Sequence, residues 1–222
     1  MEILFLRFLG NPTVVWVLTT RLVSAILSLF LPWQRRQDPL PSDRSMVKFI
    51  FLISYADDGK QLTWMSFNTT QLAATIADRY PGAKVLGCEF INNPAGAHEW
   101  KRKLRILPEG RAVSAGKASS STDERELLVA KALELENSID YSIVVGNGAH
   151  MRRDSLVWEH YHPTSRLCFR STNAKLDDDP QNPMIAQRYW QTWVFANLVG
   201  EIFYRLLGVG YFANKNLSQP VS

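Results

Sequence analysis

A chain of 222 residues with 46% apolar and 21% charged side chains has the composition of one packed domain plus an appendage, which excludes a disordered chain. Lys and Arg total 25 against 21 for Asp and Glu, a net charge of +4 with no long basic run, so nothing in the charge balance supports nucleic-acid binding. The cysteines, Cys88 and Cys168, match no metal or redox spacing and read as small buried thiols.

Residues 1–33 form a hydrophobic N-terminal segment in which TVVWVLTTRLVSAILSLFLPW, Thr13 to Trp33, is long enough to cross a bilayer as one helix, with Trp16 and Trp33 where interfacial aromatics sit. Arg21 interrupts it. A central Arg costs roughly 2.5–3.5 kcal/mol on the insertion scale and each Leu, Ile, Phe or Val returns about 0.3–0.6, a near balance. Two readings stay open: a retained membrane anchor or surface helix, and a helix packed on the folded domain with Arg21 reaching outward. Residues 34–45, rich in polar side chains and carrying Pro39 and Pro41, read as a linker, placing an α/β domain over 46–212 and a C-terminal tail over 213–222.

VKFIFLIS, Val47 to Ser54, is the continuous β-branched and aromatic run of a strand covered on both faces. A polar stretch with Asp57, Asp58 and Gly59 follows, then a helix capped by Thr69 or Thr70 and running through Asp78, and a second strand, KVLGCEF, from Lys84 to Phe90. LTWMSF, residues 62–67, has the alternative of pairing with the first strand as a hairpin. The small polar stretch from Gly110 leads to Ser121 and Glu124, the spacing of a capping box that opens a helix to about Glu136 with Leu127, Leu128, Ala130, Leu133 and Leu135 as its buried stripe. YSIVV from Tyr141, RLCFR from Arg166 and a long helix from about Pro183 to Leu207, stopped by Gly208 and Gly210, complete a repeated βαβ pattern. The fold expected is a Rossmann-like three-layer α/β/α domain with a mostly parallel sheet, whose ligands bind at the carboxyl ends of the strands.

Val145 to Trp158, VGNGAHMRRDSLVW, is the most informative stretch: a buried strand ends on two glycines and a helix begins. Gly146, Asn147 and Gly148 are expected to bring backbone N–H groups and a helix N-terminus to an oxyanion. His150, Arg152 and Arg153 fall in or beside the first turn, where bases oppose the macrodipole by about 0.3–1 kcal/mol each, and an arriving anion reverses that sign. The competing reading pairs the arginines with Asp154 and nearby acids. His150 titrates near neutrality and suits an acid, a base or a structural hydrogen bond. Thr122 and Glu124 follow the preceding loop and can offer a hydroxyl and a carboxylate to the same crevice, or serve only as caps. His160 and His162 lack a third ligand at a recognisable spacing, and Asp177, Asp178 and Asp179 read as a solvated loop, so no metal is assigned.

STDERELLVAKAL and DYSIVVGNGAHMRRDSLVW resemble the SanA, YdcF and ElyC family of domain-of-unknown-function proteins, whose late motif is a strand followed by His-Met-x-Arg; His150, Met151 and Arg153 match it. The family's Ser-x-Thr-x-Glu pattern is similar to Ser120, Thr122 and Glu124, and GEIFYRLLG with Glu201 is similar to its closing helix. The similarity spans roughly residues 47 to 210 and is specific from about 119 onward; SYADDGKQ stands where the family has a Gly-rich loop. The resemblance implies a Rossmann-like fold, frequent membrane attachment and, in some members, links to bacterial envelope polysaccharide and lipid-carrier metabolism. One member's association with S-adenosylmethionine keeps that or another nucleotide open as cofactor or ligand. Three functions are thus expected to compete: an envelope-associated protein that binds and acts on a phosphate-bearing or nucleotide-like anion, a binding module for a nucleotide or lipid-linked phosphate without turnover, and a scaffold. Localisation follows the first reading as membrane-associated, with cytoplasmic as the alternative.

Overall fold

Five parallel strands, β1 (Phe49–Leu52), β2 (Lys84–Phe90), β3 (Ala112–Ala118), β4 (Ile143–Gly146) and β5 (Cys168–Ser171), form one sheet in the order β3-β2-β1-β4-β5. The computed structural model describes residues 8–55, 60–90, 98–118, 121–173, 178, 180, 182 and 185–209, without the side chains of residues 90, 121, 122 and 185. β1 sits at the centre because its side chains are apolar in both directions. Phe49 and Phe51 join one core cluster, while Ile50 and Leu52 join the other. Each face must then be covered by helices, as a fully buried parallel sheet requires.

Helix α4 (Trp64–Arg79) and the short α5 (Glu99–Lys103) cover the face of Ile50 and Leu52, through Ala73, Ile76, Ala77 and Trp100. On the opposite face lie α6 (Ser121–Leu135), α7 (Gly148–Tyr161) and α8 (Trp190–Leu207), which bury Leu128, Ala132, Met151, Trp158 and Val194. Trp158 stacks on Phe51 with ring centroids 5.2 Å apart. The architecture is the α/β Rossmann-like one expected from the alternation of elements. Gly208, at φ 81°, ends α8 in a conformation that favours glycine.

Four local expectations are corrected. Residues 62–67 make no hairpin: α4 already begins at Trp64, with Thr63 Oγ1 accepting from Ser66 N, while Thr69 and Thr70 lie inside the helix and donate to carbonyls one turn back. The stretch after Gly110 is a strand, β3, although small and polar, because it pairs with β2 from Ala112 to Ala118. The closing helix starts at Trp190, after a 3₁₀ turn at Ile185–Gln187.

The N-terminal segment is not one helix from 13 to 33 but α1 (Pro12–Thr19), α2 (Arg21–Ser28) and α3 (Leu31–Gln34). Thr20 turns out of the helix at ψ 150° and its hydroxyl donates to Val17 O; Thr19 donates likewise to Val15 O and Trp16 O. Threonine hydroxyls competing for helical carbonyls favour such a break. No helix among the described residues is long and apolar enough to cross a membrane. The segment is tied to the domain instead: Gln34 Nε2 donates to Val194 O and Gln191 Nε2 to Ser24 Oγ. The following residues run beside β5, with Asp38 N donating to Phe169 O and Phe169 N to Asp38 Oδ2, which shields that edge from pairing with another chain.

Candidate functional site at the strand ends

The strand order reverses between β1 and β4, the place where a parallel sheet opens a crevice for ligands. β4 ends at Gly146 and α7 starts at Gly148, with Asn147 as N-cap at ψ 144°. Neither glycine adopts a positive φ, so the expected special backbone angles are not the reason for Gly146. Space is: a Cβ there would lie 2.6 Å from Met151 Cε and 2.7 Å from Tyr55 Oη. Asn147 Oδ1 accepts from Ala149 N and Trp193 Nε1, both at 3.0 Å, while Nδ2 donates to Thr172 Oγ1 and Asn173 O. Asn147 therefore clamps β4, β5 and α8 around the turn, and its side chain is committed to the fold.

His150 is buried at this junction. Asn147 N donates to the Tyr55 hydroxyl at 2.6 Å, and that hydroxyl lies 3.3 Å from His150 Nδ1. The Tyr55 oxygen accepts from the amide and keeps its own proton to give; when that proton goes to Nδ1, the histidine proton is on Nε2. Burial first, and the Arg153 charge second, hold the imidazole well below its usual range. At neutral pH His150 is thus a neutral ring, and in the Nε2–H tautomer it is a donor suited to hydrogen-bonding an oxyanion. Trp193 and Tyr55 pack edge-on against it, at 5.6 and 5.8 Å between centroids.

The two arginines of the motif part company, since adjacent helical residues point about 100° apart. Arg153 stays with the site: its charge is felt by His150, Tyr55 and Asp154, and its side chain lies against Gly200, where a Cβ would stand 2.9 Å from Cδ and Nη1. Arg152 turns toward α8 and α3. Its Nε donates to Glu201 Oε1 at 3.0 Å, its Nη1 to Trp33 O, and its guanidinium covers the Trp33 ring at 4.0 Å. Asp154 does not pair with either arginine within salt-bridge distance. Its Oδ2 accepts from Trp158 Nε1 at 3.2 Å, and burial pushes its carboxyl up to about 6.

Glu124 arrives from the other side of β1. It is 1% exposed and accepts a 2.9 Å hydrogen bond from Ser54 N, just beyond the end of β1. The Ser121 side chain of the expected capping box lies outside the described residues. Desolvation is the main cause that raises Glu124 to about 8. The backbone of Thr122 opens α6, and its side chain lies outside the described residues.

A second buried group here was invisible in the sequence. Lys103, fully buried, pairs with Glu99 at 2.7 Å and donates to Ser54 Oγ at 3.0 Å; Glu99 also accepts from Ser66 Oγ at 2.6 Å, and Ser54 Oγ donates to Cys88 O. The spacing of Glu99 and Lys103, i and i+4, was the available signal. On α6 the buried stripe is Glu124, Arg125, Leu128, Val129 and Ala132 rather than the leucines alone, with Leu133 47% exposed. Arg125 is 2% exposed, yet none of its guanidinium nitrogens has a hydrogen-bond partner among the described residues; the group lies 3.9 Å over the Tyr161 ring, and Nη2 is 3.9 Å from Glu126 Oε1. An apolar pattern overlooks this stripe because two of its five members are charged.

His160 packs edge-on against Tyr161 and His162 lies tilted against Trp158, and among the described residues no three His, Cys, Asp or Glu side chains are placed to hold a metal. Cys88 and Cys168 are free, buried thiols, each raised by desolvation, Cys168 to about 11. Asp57, Asp58, Gly59, Ser120, Asp177, Asp179, Gly210 and the tail from 213 fall outside the described residues.

No family model, curated protein or solved structure matches this chain.

Proposed function

We propose that this protein binds a phosphate-bearing or nucleotide-like anion at the carboxyl ends of β1 and β4, and acts on it with His150 and Glu124. The observation that carries the reading is the convergence of Tyr55, Glu124, His150 and Arg153 on the point where the sheet order reverses. A neutral histidine N–H, the Arg153 charge and the start of α7 all favour negative charge in a bound ligand. Glu124, raised to about 8, holds a proton at neutral pH and can release it within the physiological range, as a general acid requires. Electrostatic stabilisation by groups held in place before the ligand arrives would supply most of the rate.

The resemblance of His150, Met151 and Arg153, which follow β4, to the SanA, YdcF and ElyC motif is the ground for proposing an envelope setting. Binding without turnover is the second reading. It is favoured by the engagement of His150 Nδ1 with Tyr55 and of Glu124 with Ser54, which leaves each group partly committed to the fold.

The test is a thermal-shift screen of the full chain against nucleotides, S-adenosylmethionine, sugar phosphates and polyprenyl phosphates. A ligand at 100 times its Kd stabilises by about 2.7 kcal/mol, a shift of several degrees for a chain of this size. Loss of that shift in Arg153→Ala is expected. A shift that persists in the variant would remove the site from the end of β4, and no shift with any class would end the anion reading. His150→Ala separates the two functions: an enzyme keeps affinity and loses turnover, whereas a binding module shows no consumption of ligand in either form.

A further inference from the structure

The N-terminal helices leave a row of large apolar side chains in solvent. Along α2 and its C-cap, Leu22, Ile26 and Leu29 recur at helical spacing and are 73%, 48% and 76% exposed, whereas Leu27 on the other face is buried. Trp16 precedes them at 69% and Trp33 follows at 41%. Single exposed leucines need no explanation, but a stripe of them along one helix, flanked by two exposed tryptophans, is unusual for a surface that faces only water.

In the chain the stripe is followed, through α3, by a basic cleft of about 310 Å³ where α3, α7 and α8 meet, lined by Arg35, Arg36, Arg152 and Arg205 together with Ser155, Leu156 and Glu159. Four guanidinium groups stand against three carboxylates. Arg36 pairs with Asp38 and with Glu159, and Arg152 and Arg205 share the buried Glu201 at 3.0 and 2.8 Å. Arg35 makes no ion pair among the described residues. Two arginines on one carboxylate leave charge over, and Arg35 adds to it. Trp33 joins the two features, its ring lying 4.0 Å beneath the Arg152 guanidinium. Apolar side chains, then a Trp ring, then arginines is the order of chemistry met on passing from acyl chains through the carbonyl region to lipid phosphates.

We propose that this face docks flat on an anionic phospholipid bilayer, with Leu22, Ile26 and Leu29 among the acyl chains and the arginine cleft against headgroup phosphates. The helices lie in the interface plane and none spans it. Arg152, the motif arginine that turns away from the strand ends, thereby acquires a partner distinct from the ligand of His150 and Arg153. The proposal is independent of the switch-point reading and stands or falls separately.

The experiment is co-sedimentation of the full chain with vesicles of phosphatidylcholine alone or with 30% (about one lipid in three) phosphatidylglycerol, at low and high salt. Binding is expected to the mixed vesicles, to fall in high salt, and to be weak on phosphatidylcholine. Arg35→Glu reverses an exposed charge and should lower the partition coefficient about tenfold. The Leu22→Ser, Leu29→Ser double variant should lower it by about tenfold or more. Both changes lie at exposed positions, and unchanged melting curves in each confirm that the fold is intact. No binding to the mixed vesicles overturns the proposal, as does binding that both intact variants retain. A lipid-free dimer abolished by the leucine changes would assign the face to a second copy of the chain and overturn it as well.

Discussion

Glu124 provides the sharpest quantitative test of the buried site, because its carboxyl is raised to about 8 by burial between Ser54 and the Glu99–Lys103 pair. An acid whose folded value lies above its unfolded one binds more protons folded than unfolded, so stability is present in full below about 4.5 and is lost as pH rises through about 8. Other shifted groups act in the same interval but are shared by the wild type and a variant at position 124. Asp154, raised to about 6, has nearly lost its contribution by pH 6.5. His150 and His162, both lowered from 6.5, add up to about 0.4 kcal/mol each as pH rises from 6.5 to 8, because half of the unfolded imidazoles are protonated at 6.5. The raised thiols of Cys88 and Cys168 act above 9. Between pH 6.5 and 8, a folded value of 8 corresponds to a loss of about 1.6 kcal/mol from Glu124. Glu124→Gln keeps the shape and the acceptor for Ser54 N but cannot ionise, so equilibrium urea unfolding of both proteins at those two pH values should show the wild type losing about 1.6 kcal/mol relative to the variant, with an unchanged denaturant slope. If wild type and variant lose the same amount, Glu124 is ionised throughout in the folded protein, and its role as a protonated acid fails with it.

Two further substitutions probe the geometry. Gly146→Ala introduces a Cβ 2.6 Å from Met151 Cε and 2.7 Å from Tyr55 Oη, and should cost about 1–3 kcal/mol; calorimetry showing a loss under 0.5 kcal/mol would mean the turn has room that the structure lacks. Arg125→Met replaces a buried guanidinium without hydrogen-bond partners among the described residues by an apolar chain of similar reach, and the apoprotein is expected to melt higher, by about 1 kcal/mol or more. A lower melting temperature would show that the charge interacts favourably with its surroundings.

Much of the fold was legible because it is written in local patterns. FIFL reads as a two-faced strand since all four side chains are apolar, the βαβ alternation implies a parallel sheet, and Gly208 marks the end of α8 by its tolerance of positive φ. The turn at Gly146 was recognised from the same kind of signal, though for a different physical reason than space against Tyr55 and Met151. Patterns failed where a polar residue took a core position, as with Glu124 and Arg125 on the inner face of α6, or where side-chain hydroxyls redirected the chain, as at Thr19 and Thr20.

The amino-acid order alone determined β1, β2, β4 and β5 and, in outline, the helices α4, α6, α7 and α8, because propensity, capping and hydrophobic period act over a few residues. Only the tertiary structure decided the strand order, the division of Arg152 from Arg153 and the meeting of Ser54, Glu99, Lys103 and Glu124. Those depend on packing two core faces at once, and no local pattern encodes which distant surfaces will bury each other.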